Sequence, residues 1–139
     1  MFDWSPLPAR RYELGPFALE SAALPHHVPT VGVRLSSPTL TIAYTGDTGP
    51  DPALVELGRA ADLYVVDATW PEPAAPPAGQ DRFLLSAAEA GEVATAAGAR
   101  RLLLTHFWPG TDRSTARRAA PRAFAGEIYE ASEGAVIEL

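Results

Sequence analysis

Apolar and polar residues alternate along the first third of the chain, and the period then changes. Phe17 to Ala23 and Thr30 to Leu35 carry the period of two expected of strands, and Ser36 to Pro38 reads as a turn. After that turn, Thr39, Thr41 and Ala43 alternate with Leu40, Ile42 and Tyr44, which predicts a strand with one buried face. Gly46 lets the chain bend, and Asp47 follows the strand tip. Asp51 reads as an N-cap and Pro52 as the first position of a helix over "DPALVELGRA". "DLYVVDAT", from Asp62, is a short apolar strand ending in Asp67. "WPEPAAPPAGQD" reads as a surface loop. "SAAE", from Ser86 to Glu89, is a capping box that opens a helix through Ala97, with Gly98 as its stop. "RRLLLTHF" is a buried strand ending in His106. Asp112 or Ser114 opens a last helix to about Phe124, and "EIYEA" and "AVIEL" read as a closing hairpin around "SEG".

Helices therefore alternate with apolar strands through the middle of the chain. That order predicts a layered α/β fold with a mixed sheet, parallel where helices join the strands. With 139 residues and no internal repeat, residues 1–139 read as a single domain. The Pro-rich stretch from Pro71 to Pro77 is a loop within it, because the strand–helix pattern resumes on both sides.

Composition narrows the chemistry. The chain has no cysteine, so a metal would be held by histidine and carboxylate. All 11 basic residues are arginine and the formal net charge is −6, which argues against a nucleic-acid partner. Arg100-Arg101 and Arg117-Arg118 read as solvated helix ends. Met1 to Arg10 lacks the apolar core of a signal peptide, and no segment approaches the roughly 20 apolar residues of a membrane span. The expectation is a cytoplasmic chain with no membrane partner.

The three histidines are His26, His27 and His106. His106, Asp47 and Asp67 all end predicted strands, where sites collect in open α/β sheets. Each has a plainer reading. Asp47 also suits a turn or a helix cap, Asp67 a turn, His106 a core position and His26-His27 an exposed loop. Trp70 and Trp108 read as packing residues rather than substrate platforms.

Taken in order, "HHVPTVGVRL", "YTGDTG", "DLYVVDAT" and "LLSAAEAGEVATAAGARRLLLTHFWPG" resemble the second half of the metallo-β-lactamase-fold hydrolases, ribonuclease Z-like branch. The resemblance runs from about Phe17 to Leu139. It implies one half of an αβ/βα sandwich, a mixed sheet covered by helices. It also implies metal ligation by His26, Asp47 and His106, with Asp47 as the bridging carboxylate, and a place for Asp67 close to the catalytic centre. The implied cofactor is zinc, two ions in the complete fold. The implied reaction is metal-assisted hydrolysis of an ester, thioester, lactone or phosphodiester small-molecule substrate.

The pattern also departs from that family. The H-x-H-x-D-H signature of the first half is absent, and Leu84 stands where the ribonuclease Z branch has a histidine. The long arm that grips transfer RNA in ribonuclease Z is replaced by Ser36 to Pro38. Three ligands leave a partial site, so weak or absent zinc binding and little turnover are expected of the chain alone. The sheet face that would meet the missing half should be apolar, covered by that N-terminal half or by a second copy in a homodimer. The chain is expected to be a fragment of a longer enzyme or, alternatively, a non-catalytic domain that pairs through this face.

Overall fold

The computed structural model describes residue 7, residues 11–72 and residues 81–139. Within them the elements are β1 (Arg11–Leu14), β2 (Phe17–Leu24), β3 (Thr30–Ser36), β4 (Thr41–Tyr44), α1 (Ala53–Gly58), β5 (Leu63–Asp67), α2 (Ala87–Ala97), β6 (Arg101–Thr105), α3 (Arg113–Ala119) and β7 (Glu127–Glu130). A short 3-10 turn, Ala120–Arg122, follows α3. The strands lie side by side in chain order in one sheet. Neighbours are antiparallel from β1 to β4 and parallel from β4 to β7. The parallel pairs are those joined by helical crossovers, as the sequence order requires. The Pro-rich stretch lies outside the described residues from position 73 onward.

Strand periodicity separates two faces, and two adjacent rows show how differently they are covered. Ala43, Tyr64, Leu102 and Ile128 are in register across β4 to β7. The first three are fully buried, and Ile128 packs against the same core beneath the helices. One residue along, Val33, Tyr44, Val65, Leu103 and Tyr129 form a straight row across β3 to β7. They point to the other face, and all remain half-buried or exposed. Among the described residues, the helices thus cover one side and leave an apolar surface open on the other.

The covered side is packed by small residues. α2 is capped reciprocally, with Ser86 Oγ accepting from Glu89 N–H (3.2 Å) and Glu89 Oε2 accepting from Ser86 N–H (3.0 Å). Its Gly91 sits so close to the turn after α3 that a Cβ there would meet Ala120 O at 2.5 Å. Tyr64 is buried whole, and its hydroxyl donates to Leu54 O at 2.7 Å, tying β5 to α1.

Several boundaries differ from the sequence expectation. β4 begins at Thr41 because Ser37 captures Leu40 in a turn, N–H to Oγ at 3.1 Å. β1 was not anticipated, although Tyr12 and Leu14 alternate with the paired charges Arg11 and Glu13 of an edge strand. "AVIEL" forms no strand: Ala135 N–H closes a turn onto Ser132 O, and Val136 is exposed.

Candidate metal and catalytic centre

The candidate residues gather at the carboxyl ends of β4, β5 and β6. Parallel pairing puts these tips beside one another, and loop hydrogen bonds extend the alignment. Thr45 N–H donates to Val65 O (3.0 Å), Ala68 N–H to Thr105 O (2.9 Å) and Trp108 N–H to Thr69 O (3.3 Å). After β4, Gly46 takes a left-handed conformation (φ 64°), which turns the chain toward Asp47. After β6, His106 itself is left-handed (φ 60°), a conformation that is costly for a residue with a Cβ.

His106 is held from behind. Asp67, with no exposure, accepts from Thr48 N–H (3.2 Å), Thr69 N–H (2.9 Å) and the Thr69 hydroxyl (2.7 Å). The single hydroxyl hydrogen of Thr69 is thereby committed to Asp67. Thr69 Oγ1 must then accept from His106 Nδ1, which lies 2.9 Å away. This fixes the proton on Nδ1 and leaves the lone pair on Nε2. His26 has the same tautomer: its Nδ1 lies 2.9 Å from Phe83 O, which can only accept. Both rings carry the second-side hydrogen bond typical of metal-ligating histidines.

His106 Nε2 lies 3.4 Å from Asp47 Oδ2. A lone pair facing a carboxylate oxygen at that distance suits a cation between them. Two donors each about 2.0–2.1 Å from a tetrahedral zinc ion lie about 3.4 Å apart, so the pair has the spacing of two ligands on one ion. The local field is negative in the same place. The Tyr44 phenol is pushed up by partial burial and further by the charges of Asp47 and Asp67. Burial pushes the Asp67 carboxyl up as well, against its hydrogen bonds and His106, which pull it down.

The sequence candidates are thus brought into one neighbourhood, with different positions within it. Asp47 and His106 pair directly. His26 and His27 line the same pocket of about 370 Å³, together with Phe83, Leu84 and Trp108. Asp67 stands behind His106, its Oδ1 3.6 Å from Nδ1, where it positions the ring. Among the described residues, no three His, Asp or Glu side chains are grouped so as to hold a metal ion. The donors fit a metal in type and, for one pair, in spacing, and they are an incomplete set. Thr69 and Phe83 were missed by sequence reasoning. The only signal for Thr69 was its place two residues after Asp67.

A family profile described as beta-lactamase superfamily domain matches residues 5–107. An uncharacterised protein of Mycobacterium leprae is 33% identical over 139 residues, covering 99% of this chain and 46% of its own length. A ribonuclease Z of Natronomonas pharaonis is 36% identical over 105 residues, 73% of this chain and 33% of that protein. The crystal structure of the metallo-β-lactamase-fold protein YhfI from Bacillus subtilis superposes with a TM-score of 0.82 at 28% identity, covering 95% of this chain and 54% of that one. This chain spans less than half the length of these two curated relatives. Among the described residues, no helix is long and apolar enough to cross a membrane. With three-quarters of its length inside the family match and the fold of YhfI, the chain belongs to the beta-lactamase superfamily, with the metallo-β-lactamase fold.

Proposed function

We propose that this chain is the C-terminal portion of a zinc-dependent hydrolase. Its own residues supply part of the metal centre, and a preceding half supplies the rest. The supporting observation is the Asp47–His106 pair, with its lone pair set outward by Thr69 and Asp67. Asp47, His106 and, from the pocket wall, His26 would hold the metal. Bound there, zinc would polarise an ester, thioester, lactone or phosphodiester and activate water. Within that chemistry Asp47 brings the anionic charge that offsets the cation. Thr69 and Asp67 keep the His106 proton on Nδ1, and Phe83 does the same for His26. β3 passes to β4 through the turn at Ser37, with no inserted arm, so the proposed substrate is a small molecule rather than transfer RNA.

Zinc titration of the purified chain, followed by the ring-proton NMR signals of His106 and His26, tests this reading. Weak, saturable shifts are expected, abolished by Asp47→Ala. Zinc held tightly through purification would contradict a partial site, and zinc shifts that appear elsewhere while His106 and His26 stay unmoved would overturn the metal reading. The open apolar row Val33, Tyr44, Val65, Leu103 and Tyr129 favours a second reading for the isolated chain, pairing through this face with another copy. Sedimentation decides it. Val65→Asp should abolish a dimer that forms there, and a chain that stays monomeric at high concentration would exclude this reading.

A further inference from the structure

We infer that Trp108 forms an aromatic wall of the substrate site and selects substrates carrying a planar ring. This deepens the hydrolase reading and rests on it for the word substrate. Sequence reasoning took both tryptophans for packing residues, and for one face of Trp108 that holds. Trp70 stacks on it with centroids 5.4 Å apart and planes 26° from parallel. The rest of the ring is not packed away: Trp108 is 52% exposed, and it borders the pocket that also contains Asp47 and His106. Trp70 is not among the residues lining that pocket.

A large apolar ring is left half in water, yet its position is fixed from two sides. The Trp108 backbone N–H donates to Thr69 O at 3.3 Å, which anchors the loop, and one face of its ring rests on Trp70. A mobile exposed tryptophan would be a poor platform, whereas a ring held against a second indole loses little freedom when something stacks on it. Phe83 adds an aromatic side chain to the same pocket, held edge-on by His26 and His27 at 6.3 Å each. The volume of about 370 Å³ is in the range of small-molecule sites. Trp108 and His106 are two residues apart on one loop, so a ring stacked on the indole carries its attached hydrolysable group toward the Asp47–His106 pair. The class tested is an uncharged planar aromatic group, since in metal-free buffer the Asp47 and Asp67 carboxylates would repel an anionic ring.

The test uses binding alone, in metal-free buffer, so its failure is separable from failure of the hydrolase reading, which zinc titration and turnover address. The probes are 2-naphthol and decahydro-2-naphthol, which share a skeleton and a hydroxyl but differ in the π-face. The readout is the indole N–H signal of Trp108 in the unaltered chain, identified by its loss in Trp108→Leu, and in every variant the ring-proton signals of Phe83, which lines the same pocket. 2-Naphthol should shift these signals saturably and bind at least about fivefold more tightly than the saturated analogue, the scale of an aromatic contact beyond its area. Trp108→Leu, which keeps apolar bulk, should lose that preference, and Trp108→Phe should retain most of it. Equal binding of the two probes, binding by neither, or an unchanged preference in Trp108→Leu would overturn the inference. The comparison of the two probes on the unaltered chain stands even where a variant folds poorly.

Discussion

Replacing Thr69 by valine removes one hydroxyl and keeps the shape of the side chain. In the native arrangement that hydroxyl donates to the buried Asp67 carboxylate at 2.7 Å and accepts from His106 Nδ1 at 2.9 Å. A hydrogen bond to a charged group is worth about 1.5–3 kcal/mol, and a neutral one about 0.5–1.5 kcal/mol. Asp67 keeps its bonds from Thr48 N–H and Thr69 N–H, which limits the loss. The expected destabilisation is therefore about 2–3 kcal/mol, read as a lowered urea midpoint at unchanged slope. The more specific consequence is at His106. Without an acceptor at Nδ1, the neutral ring should move toward the Nε2–H tautomer, which long-range nitrogen–proton NMR reports directly. Thr69→Ser retains the hydroxyl and should keep the Nδ1–H form. A loss below about 0.5 kcal/mol, or an unchanged tautomer in Thr69→Val, would refute the relay from Asp67 through Thr69 to His106.

Two further outcomes follow from the same geometry. His106 is left-handed, so His106→Gly should be more stable than His106→Ala by about 1 kcal/mol: the left-handed penalty of roughly 1–2 less the extra entropy of glycine. Equal urea midpoints for the two variants would show that the backbone there is unstrained. Burial pushes the Glu89 carboxyl up, but the Arg82 and Ser86 hydrogen bonds outweigh it, and its folded-state pKa is lowered. Its contribution to stability is therefore complete above the ordinary glutamate value and is lost as pH falls through the lowered one. In Glu89→Gln the urea midpoint should fall less steeply over that acidic window, and parallel pH profiles for the two proteins would exclude the Arg82–Glu89 pair as the cause.

The parts of the fold legible in the sequence were those specified by local chemistry. Ser86 and Glu89 announced α2, Gly98 ended it, and the alternation of Thr39 to Tyr44 located β4, which starts two residues later. Asp47 and His106 were legible because each ends an apolar strand inside a recognisable run of residues. That the two would meet at one site was expected, and their 3.4 Å contact depends on β5 lying between β4 and β6 in parallel register. Thr69 was invisible, because its role exists only once the tip of β5 stands beside His106. β1 and the C-terminal "AVIEL" show the opposite failures. A short charged strand forms because β2 offers it a partner. The apolar run instead follows a turn that Ala135 N–H closes onto Ser132 O.

The incomplete metal set and the open sheet face are linked through Tyr44. Its side chain belongs to the apolar row that runs from Val33 to Tyr129. It also lies close enough to Asp47 and Asp67 for their charges to push its phenol up. On the proposed reading, the open face of the described residues ends where the metal set is incomplete. A partner that covered the row without bringing charge would bury the Asp47 carboxylate beside Asp67 and leave two like charges in a poorly solvated edge, which is unfavourable. A partner that brought a cation without covering the row would leave the apolar face in water. On the reading proposed above, one complement has to do both. Cation binding at Asp47 and burial of the row should then be coupled, each strengthening the other, because both relieve costs that meet at Tyr44.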